Sequence, residues 1–148
     1  MRSRRRVAKW EFIAYAIILG AIALWPTPVD RTGAGMLMKA LKKLHEAGMP
    51  AWINYAVVES AANVVLFVPL GALVVWILGR RYWWAGGAAG LLLSGLIEVA
   101  QFAFLPERYP ALADVVANTC GATLGGLLAL LVMTLRRPVP NPPPARNL

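Results

Sequence analysis

The sequence predicts an all-α protein, a four-helix transmembrane bundle with a short amphipathic interfacial helix between helices 1 and 2. The chain has 148 residues, of which 59% are hydrophobic and only 15% are charged. A soluble domain of this size cannot bury so much apolar surface, so lipid is the expected solvent. Four apolar segments and the placement of the lysines and arginines beside them complete the prediction.

The four apolar segments are predicted membrane spans, although the first is short for a span. The first runs from about Trp10 to Trp25, with an aromatic residue at each end. A cleaved signal peptide is the alternative, but no small-x-small cleavage site follows the segment, so we predict a retained helix. The other three are Ile53 to Gly79, Tyr82 to Leu105 and about Ala111 to Leu135, each 24 to 27 residues long. At ~1.5 Å per residue these lengths cross a bilayer with some tilt.

The distribution of cations predicts the orientation. If the N-terminus is inside, ten of the 15 lysines and arginines lie on the cytoplasmic side. They are Arg2, Arg4, Arg5, Arg6, Lys9, Arg80, Arg81, Arg136, Arg137 and Arg146. This bias favours both termini in the cytoplasm. The net charge of +8 is also typical of nucleic-acid-binding proteins, but cations beside apolar segments indicate membrane anchoring, and no nucleic-acid partner is expected.

The segment Met36 to Ala47, MLMKALKKLHEA, has the spacing of an amphipathic helix. Its leucines and alanines recur at helical intervals, while Lys39, Lys42 and Lys43 lie on the opposite face. Gly48 and Pro50 are expected to end it. We predict a short helix lying on the outer leaflet, and a linker that happens to be amphipathic is the alternative.

The chain is expected to form one membrane domain over residues 1–137, followed by a disordered proline-rich tail over residues 138–148. Cys120 is the only cysteine, which excludes an intramolecular disulfide and a cysteine-rich metal site. His45 is the only histidine. No cofactor and no metal site are therefore expected.

Polar side chains recur at helical spacing on three of the four spans. Each stripe lies within roughly 10 Å of the outer end of its helix, so the stripes should meet at one level of the membrane. With an arginine from the outer turn they predict a ligand-binding pocket. The candidate residues are Glu59, Asn63, Glu98, Gln101, Arg108, Asp114 and Asn118.

The residue types leave several uses of this layer open. Amides and carboxylates could simply bond the helices to one another. Arg108 could neutralise the acids or hold a phosphate or carboxylate. The acids could hold a divalent cation or perform acid–base chemistry.

These residues resemble the VanZ-like family of small bacterial integral membrane proteins. The resemblance covers roughly residues 59–126, in the order of the family's motifs. It is carried by Glu59-x-x-x-Asn63, Leu66-Phe67-Val68-Pro69-Leu70-Gly71, Ser94-x-x-x-Glu98-x-x-Gln101, Arg108, Asp114-x-x-x-Asn118-Thr119-x-Gly121 and Gly125. Where many members carry a further acid between the arginine and the aspartate, this chain has Ala111 and Ala113.

The resemblance implies a multi-pass protein of the bacterial plasma membrane and cell envelope. The family is named for a member linked to resistance against the glycopeptide antibiotic teicoplanin. We therefore expect a protein that binds a polyprenyl-linked cell-wall precursor or a lipoglycopeptide in an outward-facing polar pocket, rather than an enzyme. The alternative is a membrane enzyme acting on a polyprenyl-phosphate-linked envelope precursor. Membrane lipid is an expected partner, and assembly into an oligomer is compatible with the sequence.

Overall fold

The computed structural model describes residues 2–24, 30–105 and 111–136, with no side-chain description for residues 2–5 and 30–34. In these ranges the chain is helical, with no β-strand, as predicted. The helices are α1 (Arg2–Ala23), α2 (Asp30–Glu46), α3 (Tyr55–Leu78), α4 (Ala85–Phe104) and α5 (Leu112–Leu135). Arg108 and the predicted proline-rich tail lie outside the described residues.

Three of these helices, α3, α4 and α5, are long and apolar enough to cross a membrane. The first predicted span, now α1, is not among them. Every 18-residue stretch of this 22-residue helix contains Arg6, Lys9 and Glu11. Three of the four predicted spans are thus supported by length and composition.

Two helices begin earlier than their hydrophobic pattern predicts. α1 starts at Arg2 rather than near Trp10, because arginine, lysine and alanine are good helix formers even where they are not apolar. α2 starts at Asp30 rather than at Met36 and continues through two glycines. It ends at Glu46, where Gly48 has a φ of 100°, in the left-handed region that glycine tolerates.

Local sequence sets the bounds of α3. The Asn54 side chain caps its N-terminus by accepting a hydrogen bond from the backbone N–H of Val57, at 3.2 Å. Gly79 ends it with a φ of 97°, again in the left-handed region. A one-turn 3-10 helix, Arg80–Tyr82, then leads into α4. The short connection makes α3 and α4 antiparallel neighbours.

Glycines bring α3 and α5 into backbone contact. A methyl group at Gly121 would collide with the carbonyl of Val64, and one at Gly125 with the carbonyl of Val68. Along this contact the residue numbers rise on both helices, from Val64 to Val68 and from Gly121 to Gly125, so α3 and α5 run parallel. Such close approach of small residues is a usual way for membrane helices to associate.

α4 packs on α5 in the opposite direction. Gly86 lies against Gly126, and Gly90 lies against Ala122 and the carbonyl of Asn118. Along this contact the residue numbers rise on α4, from Gly86 to Gly90, and fall on α5, from Gly126 to Ala122. The two helices are therefore antiparallel. α5 is therefore in glycine-mediated contact with both α3 and α4.

α1 lies against α3 and α4 and runs antiparallel to α3. The Tyr15 hydroxyl donates a hydrogen bond to the carbonyl of Leu66 at 2.7 Å. Leu19 of α1 is buried in a core cluster with Phe67, Leu70 and Ala122. α1 is thus part of the bundle, and its C-terminal end lies near the N-terminal end of α3.

The outer surface of the bundle is strongly apolar. Large side chains on one face of α4 are more than half exposed, among them Leu92, Leu96, Val99 and Phe102. A soluble monomer rarely exposes contiguous apolar surface of this kind, whereas lipid tails cover it in a membrane.

Candidate functional site

A cleft of about 350 Å³ opens at the end of the bundle that carries α2. It lies between α1, α3, α4 and α5, with Leu37 of α2 at its edge. Six of the seven predicted site residues line it, in three pairs from three helices. They are Glu59 and Asn63 on α3, Glu98 and Gln101 on α4, and Asp114 and Asn118 on α5.

The predicted meeting of the polar stripes has a simple geometric origin. α3 and α5 are parallel and α4 is antiparallel to both, so residues early in α3 and α5 share a level with residues late in α4. Glu59 and Asp114 lie in the first turns of their helices, and Glu98 lies in the last turns of α4. The helical spacing in each pair then turns both side chains to the same side.

Asn63 and Asp114 join α3 to α5. The Asn63 amide Nδ2 donates to Asp114 Oδ1 at 2.9 Å, across a part-buried surface. A carboxylate oxygen is a strong acceptor in such a site. The pair fixes the orientation of both side chains on one wall of the cleft.

Glu98 joins α4 to the start of α5. Its Oε2 accepts a hydrogen bond from the backbone N–H of Ala111, the residue before α5, at 3.0 Å. Backbone N–H groups at the start of a helix lack partners within the helix and carry partial positive charge, so a carboxylate there is favourable. The Glu98 carboxyl is therefore positioned by the backbone as well as by α4.

Asn118 and Ser94 form a buried polar pair at the base of the cleft. Asn118 Nδ2 is 2.8 Å from the Ser94 hydroxyl oxygen, and the two residues are 7% and 0% exposed. The other amide atom, Asn118 Oδ1, is buried and has no hydrogen-bond partner among the described residues. A buried acceptor without a donor lowers the stability of the folded protein unless another group donates to it.

Gln101 connects the cleft to α1. Its Nε2 donates to the carbonyl of Ala23, the last residue of α1, at 2.8 Å. Ala23 itself lines the cleft. The carbonyl at this helix end would otherwise lack an intrahelical donor, so the amide caps α1 from a neighbouring helix.

The remaining walls of the cleft are apolar. Side chains of Leu19, Ile22, Leu66, Phe67 and Ile97 face it from α1, α3 and α4. Polar and apolar side chains therefore line the same cleft.

Some contributors were not among the candidate residues. Ser94 belongs to the same sequence motif as Glu98, one helical turn away, but it was not named as a candidate. The Ala23 carbonyl and Tyr55 also line or bound the cleft, but a backbone carbonyl has no signature in a sequence. Arg108 lies outside the described residues, so its predicted place at the mouth stays a prediction.

The polar layer bonds neighbouring helices to one another, which is one of the uses that the sequence left open. The pairs Asn63–Asp114, Asn118–Ser94 and Gln101–Ala23 do connect neighbouring helices, as an interhelical network would. A cleft nevertheless remains between the same residues. Among the residues described by the structure, no three histidines, cysteines or acids lie close enough to hold a metal ion.

The comparisons agree with the motifs. Residues 12–133 match the family model described as VanZ/LLP1, which is well over half of the chain. No curated protein and no solved structure matches it. With three membrane-capable helices and a match that extends from α1 to near the end of α5, the chain is a membrane protein and belongs to the VanZ/LLP1 family.

Proposed function

We propose that this protein binds an amphiphile in the cleft without transforming it, and that this binding protects the bacterial cell envelope against glycopeptide antibiotics of the teicoplanin type. The ligand is a lipid-linked cell-wall precursor or a lipoglycopeptide. One observation carries the proposal. Six acidic or amide side chains from three helices and seven large apolar side chains line the same cleft.

The size and walls of the cleft support an amphiphilic ligand. Its volume of about 350 Å³ falls within the ~300–1,000 Å³ typical of small-molecule sites. A head group would contact Glu59, Glu98 and Asp114, while an acyl or prenyl chain would lie along Phe67 and Ile97. Because the cleft is at one end of the bundle, the chain could remain in the bilayer while the head group enters.

Binding is better supported than catalysis. Among the described residues that line the cleft there is no serine, cysteine, histidine or lysine to act as a nucleophile. Ser94 is fully buried beneath it, and exposed Cys120 is not among the lining residues. Glu98 and Asp114 accept hydrogen bonds that hold helices together. An enzyme acting on a polyprenyl phosphate would have to use the cleft carboxyls as acid or base, and two of the three are in these contacts.

We place the protein in the plasma membrane with four spans and both termini in the cytoplasm. α1 is antiparallel to membrane-capable α3 and bonds to it through Tyr15, so it should lie at the same depth. A periplasmic reporter enzyme fused after Leu148 should be inactive, and a fluorescent protein fused there should be bright. Activity of the periplasmic reporter at that position would refute this topology.

The same topology puts α2 on the outer leaflet above the cleft. Leu41 is only 7% exposed, and His45 Nε2 lies 3.1 Å from the carbonyl of Ile53 in the connection to α3, so the end of α2 is held close to the start of α3. Lys39, Lys42 and Lys43 extend from the helix toward lipid head groups. Spin labels placed singly along residues 36–44 should alternate between lipid and water contact with a period of ~3.6 residues. Uniform exposure of the labels to water would show that this segment is a linker and does not lie on the membrane surface.

The functional test is expression in a teicoplanin-sensitive bacterial host. The wild-type chain should protect the cells, and a chain whose cleft carboxyls are replaced by amides should not. Equal protection by the two chains would show that the cleft carboxyls are not needed for resistance.

A further inference from the structure

A second groove lies at the end of the bundle opposite the cleft. It has a volume of about 280 Å³ and opens between the N-terminal half of α1 and the last turns of α3. Among the described residues that line it, Lys9 is the only charged one. The others are apolar: Phe12, Ile13, Val74, Ile77 and Leu78. The groove is thus a hydrocarbon surface with a cation beside it.

The groove is open to the surroundings of the bundle. Ile13 of α1 and Leu78 of α3 are 46% and 48% exposed, and Lys9 is exposed as well. Val74, which is only 8% exposed, connects the groove to the buried part of α3. An apolar surface of this kind is covered by hydrocarbon in a membrane.

Further cations lie near this groove. Arg6 is exposed one helical turn before Lys9, and Arg80 and Arg81 follow directly after the end of α3. The acid closest to Lys9 in sequence is Glu11, two residues later. At ~100° per residue, the side chain of Glu11 is turned by ~200° about the helix axis from that of Lys9. The groove side of α1 is therefore positive.

The positive sign extends to the whole of this end of the molecule, because it follows from the sequence. No acidic residue occurs between Glu59 and Glu98, and none occurs after Asp114. Those three acids line the cleft at the other end. Within residues 1–29, Glu11 is the only acid. An anion is thus attracted to the end at which the groove lies.

We infer that the groove between α1 and α3 binds an anionic phospholipid, with an acyl chain along Ile13 and Leu78 and the phosphate at the Lys9 ammonium. The stem of the lysine lies along the apolar wall, and its charged end extends toward the head groups, as it does for lysines near the ends of membrane helices. This site is separate from the cleft and does not depend on the function proposed for it.

The charge and the walls of the groove favour this occupant over two others. A second copy of the chain would bring the same cations to the groove, and like charges placed together oppose association. A free phosphate would leave the apolar surface of Phe12 and Ile77 uncovered. An anionic phospholipid supplies both the negative charge and the hydrocarbon.

The first test compares dioleoylphosphatidylglycerol, dioleoylphosphatidylcholine and glycerol phosphate. Each is titrated into the full chain in a neutral detergent, and the rise in melting temperature reports binding to the folded state. Phosphatidylglycerol should bind ~10-fold or more tightly than phosphatidylcholine, because several cations near one phosphate each contribute. Glycerol phosphate should cause no shift. Equal affinity for the two lipids, or an equal shift with glycerol phosphate, would overturn the inference.

Lys9→Gln and Arg136→Gln form a matched pair for the charge. Arg136 is exposed directly after α5, which is parallel to α3, so it lies at the same end of the bundle without lining the groove. Lys9→Gln should weaken the binding of phosphatidylglycerol by ~5-fold or more, and Arg136→Gln by less than ~2-fold. General attraction to a positive protein would weaken binding equally in both variants, and that result would contradict a site at Lys9.

Ile13→Trp and Ile17→Trp form a matched pair for the acyl chain. Both isoleucines are exposed on α1, one turn apart, and only Ile13 lines the groove. An indole ring at position 13 would fill the groove, so Ile13→Trp should weaken phosphatidylglycerol binding about as much as Lys9→Gln does, whereas Ile17→Trp should not. Equal binding by the two variants would refute this place for the chain. A wild-type dimer that Ile13→Trp converts to a monomer would assign the groove to a second copy and overturn the inference.

Discussion

Replacing any one of the three cleft carboxyls by its amide should abolish protection against teicoplanin while the protein stays folded. The changes are Glu59→Gln, Glu98→Gln and Asp114→Asn, which keep the size of the side chain but remove its charge. The measurements are the susceptibility of an expressing host and the melting temperature of the purified variant. A binding cleft loses its charge complementarity, whereas the helix contacts largely remain.

The hydrogen bonds in the structure explain why stability should change little. Asparagine at position 114 keeps an oxygen for the Asn63 amide, and glutamine at position 98 keeps one for the N–H of Ala111. Interhelical hydrogen bonds in membranes contribute only about 0.6 kcal/mol on average. Removing a carboxylate from an apolar site also removes its desolvation cost, which opposes any loss.

If the polar layer only bonds the helices to one another, a different combination of susceptibility and melting temperature is expected. Loss of protection would then track loss of stability, variant by variant. Glu11→Gln is the matched control, since Glu11 is an exposed carboxyl on α1 that does not line the cleft, and it should change neither quantity. Unchanged susceptibility in all three well-folded cleft variants would end the binding hypothesis.

The second large effect is expected at the contact between α3 and α5. Gly125→Ala should destabilise the protein by about 1–3 kcal/mol, the usual cost of overpacking a close contact. The added methyl group would collide with the Val68 carbonyl, which is backbone and cannot turn aside. The free energy of unfolding, measured in detergent by denaturant titration, should fall accordingly.

Gly95→Ala is the matched control for this effect. Gly95 lies inside α4, and a methyl group there would meet no atom within 4 Å. Alanine is favoured over glycine in a helix by up to ~1 kcal/mol, so this variant should be as stable as the wild type or more so. Equal responses of the two variants would contradict the close packing of α3 on α5.

The helical class was predictable because an apolar run of more than twenty residues has few alternatives in lipid. α3, α4 and α5 therefore begin and end close to where the hydrophobic pattern places them. The bounds of α1 and α2 were wrong at their N-terminal ends. Arg2 to Lys9 and residues 30–35 form helix without an apolar pattern, so hydrophobicity gave no signal there.

The membership of the cleft was predictable from spacing, but its internal bonds were not. Residues four apart on a helix face the same way, and Asn63 and Asp114 share a level because both lie near the N-terminal ends of parallel helices. Which amide bonds which acceptor depends on rotation of the helices about their axes, and the sequence does not encode this in a readable pattern. The Asn118–Ser94 pair and the contact of Gln101 with the Ala23 carbonyl belong to this class.

The helix contacts made by the glycines were also only partly predictable from the sequence. The spacing Gly121-x-x-x-Gly125 is typical of close helix packing, but it does not identify the partner helix, because such a motif fits several neighbours. The structure assigns α3 to it, through Val64 and Val68. Gly71 of α3 meets the backbone of Ala122 on α5. Its role is contact between helices.

The most direct measurement of the central claim is equilibrium binding of a lipoglycopeptide to the purified protein. Fluorescent teicoplanin would be titrated into nanodiscs that hold the wild type, Glu98→Gln or Glu11→Gln, at equal protein concentration. The account predicts saturable binding to the wild type and to Glu11→Gln, and weak, non-saturating binding to Glu98→Gln at an unchanged melting temperature. Saturable binding of equal affinity to all three proteins would contradict it.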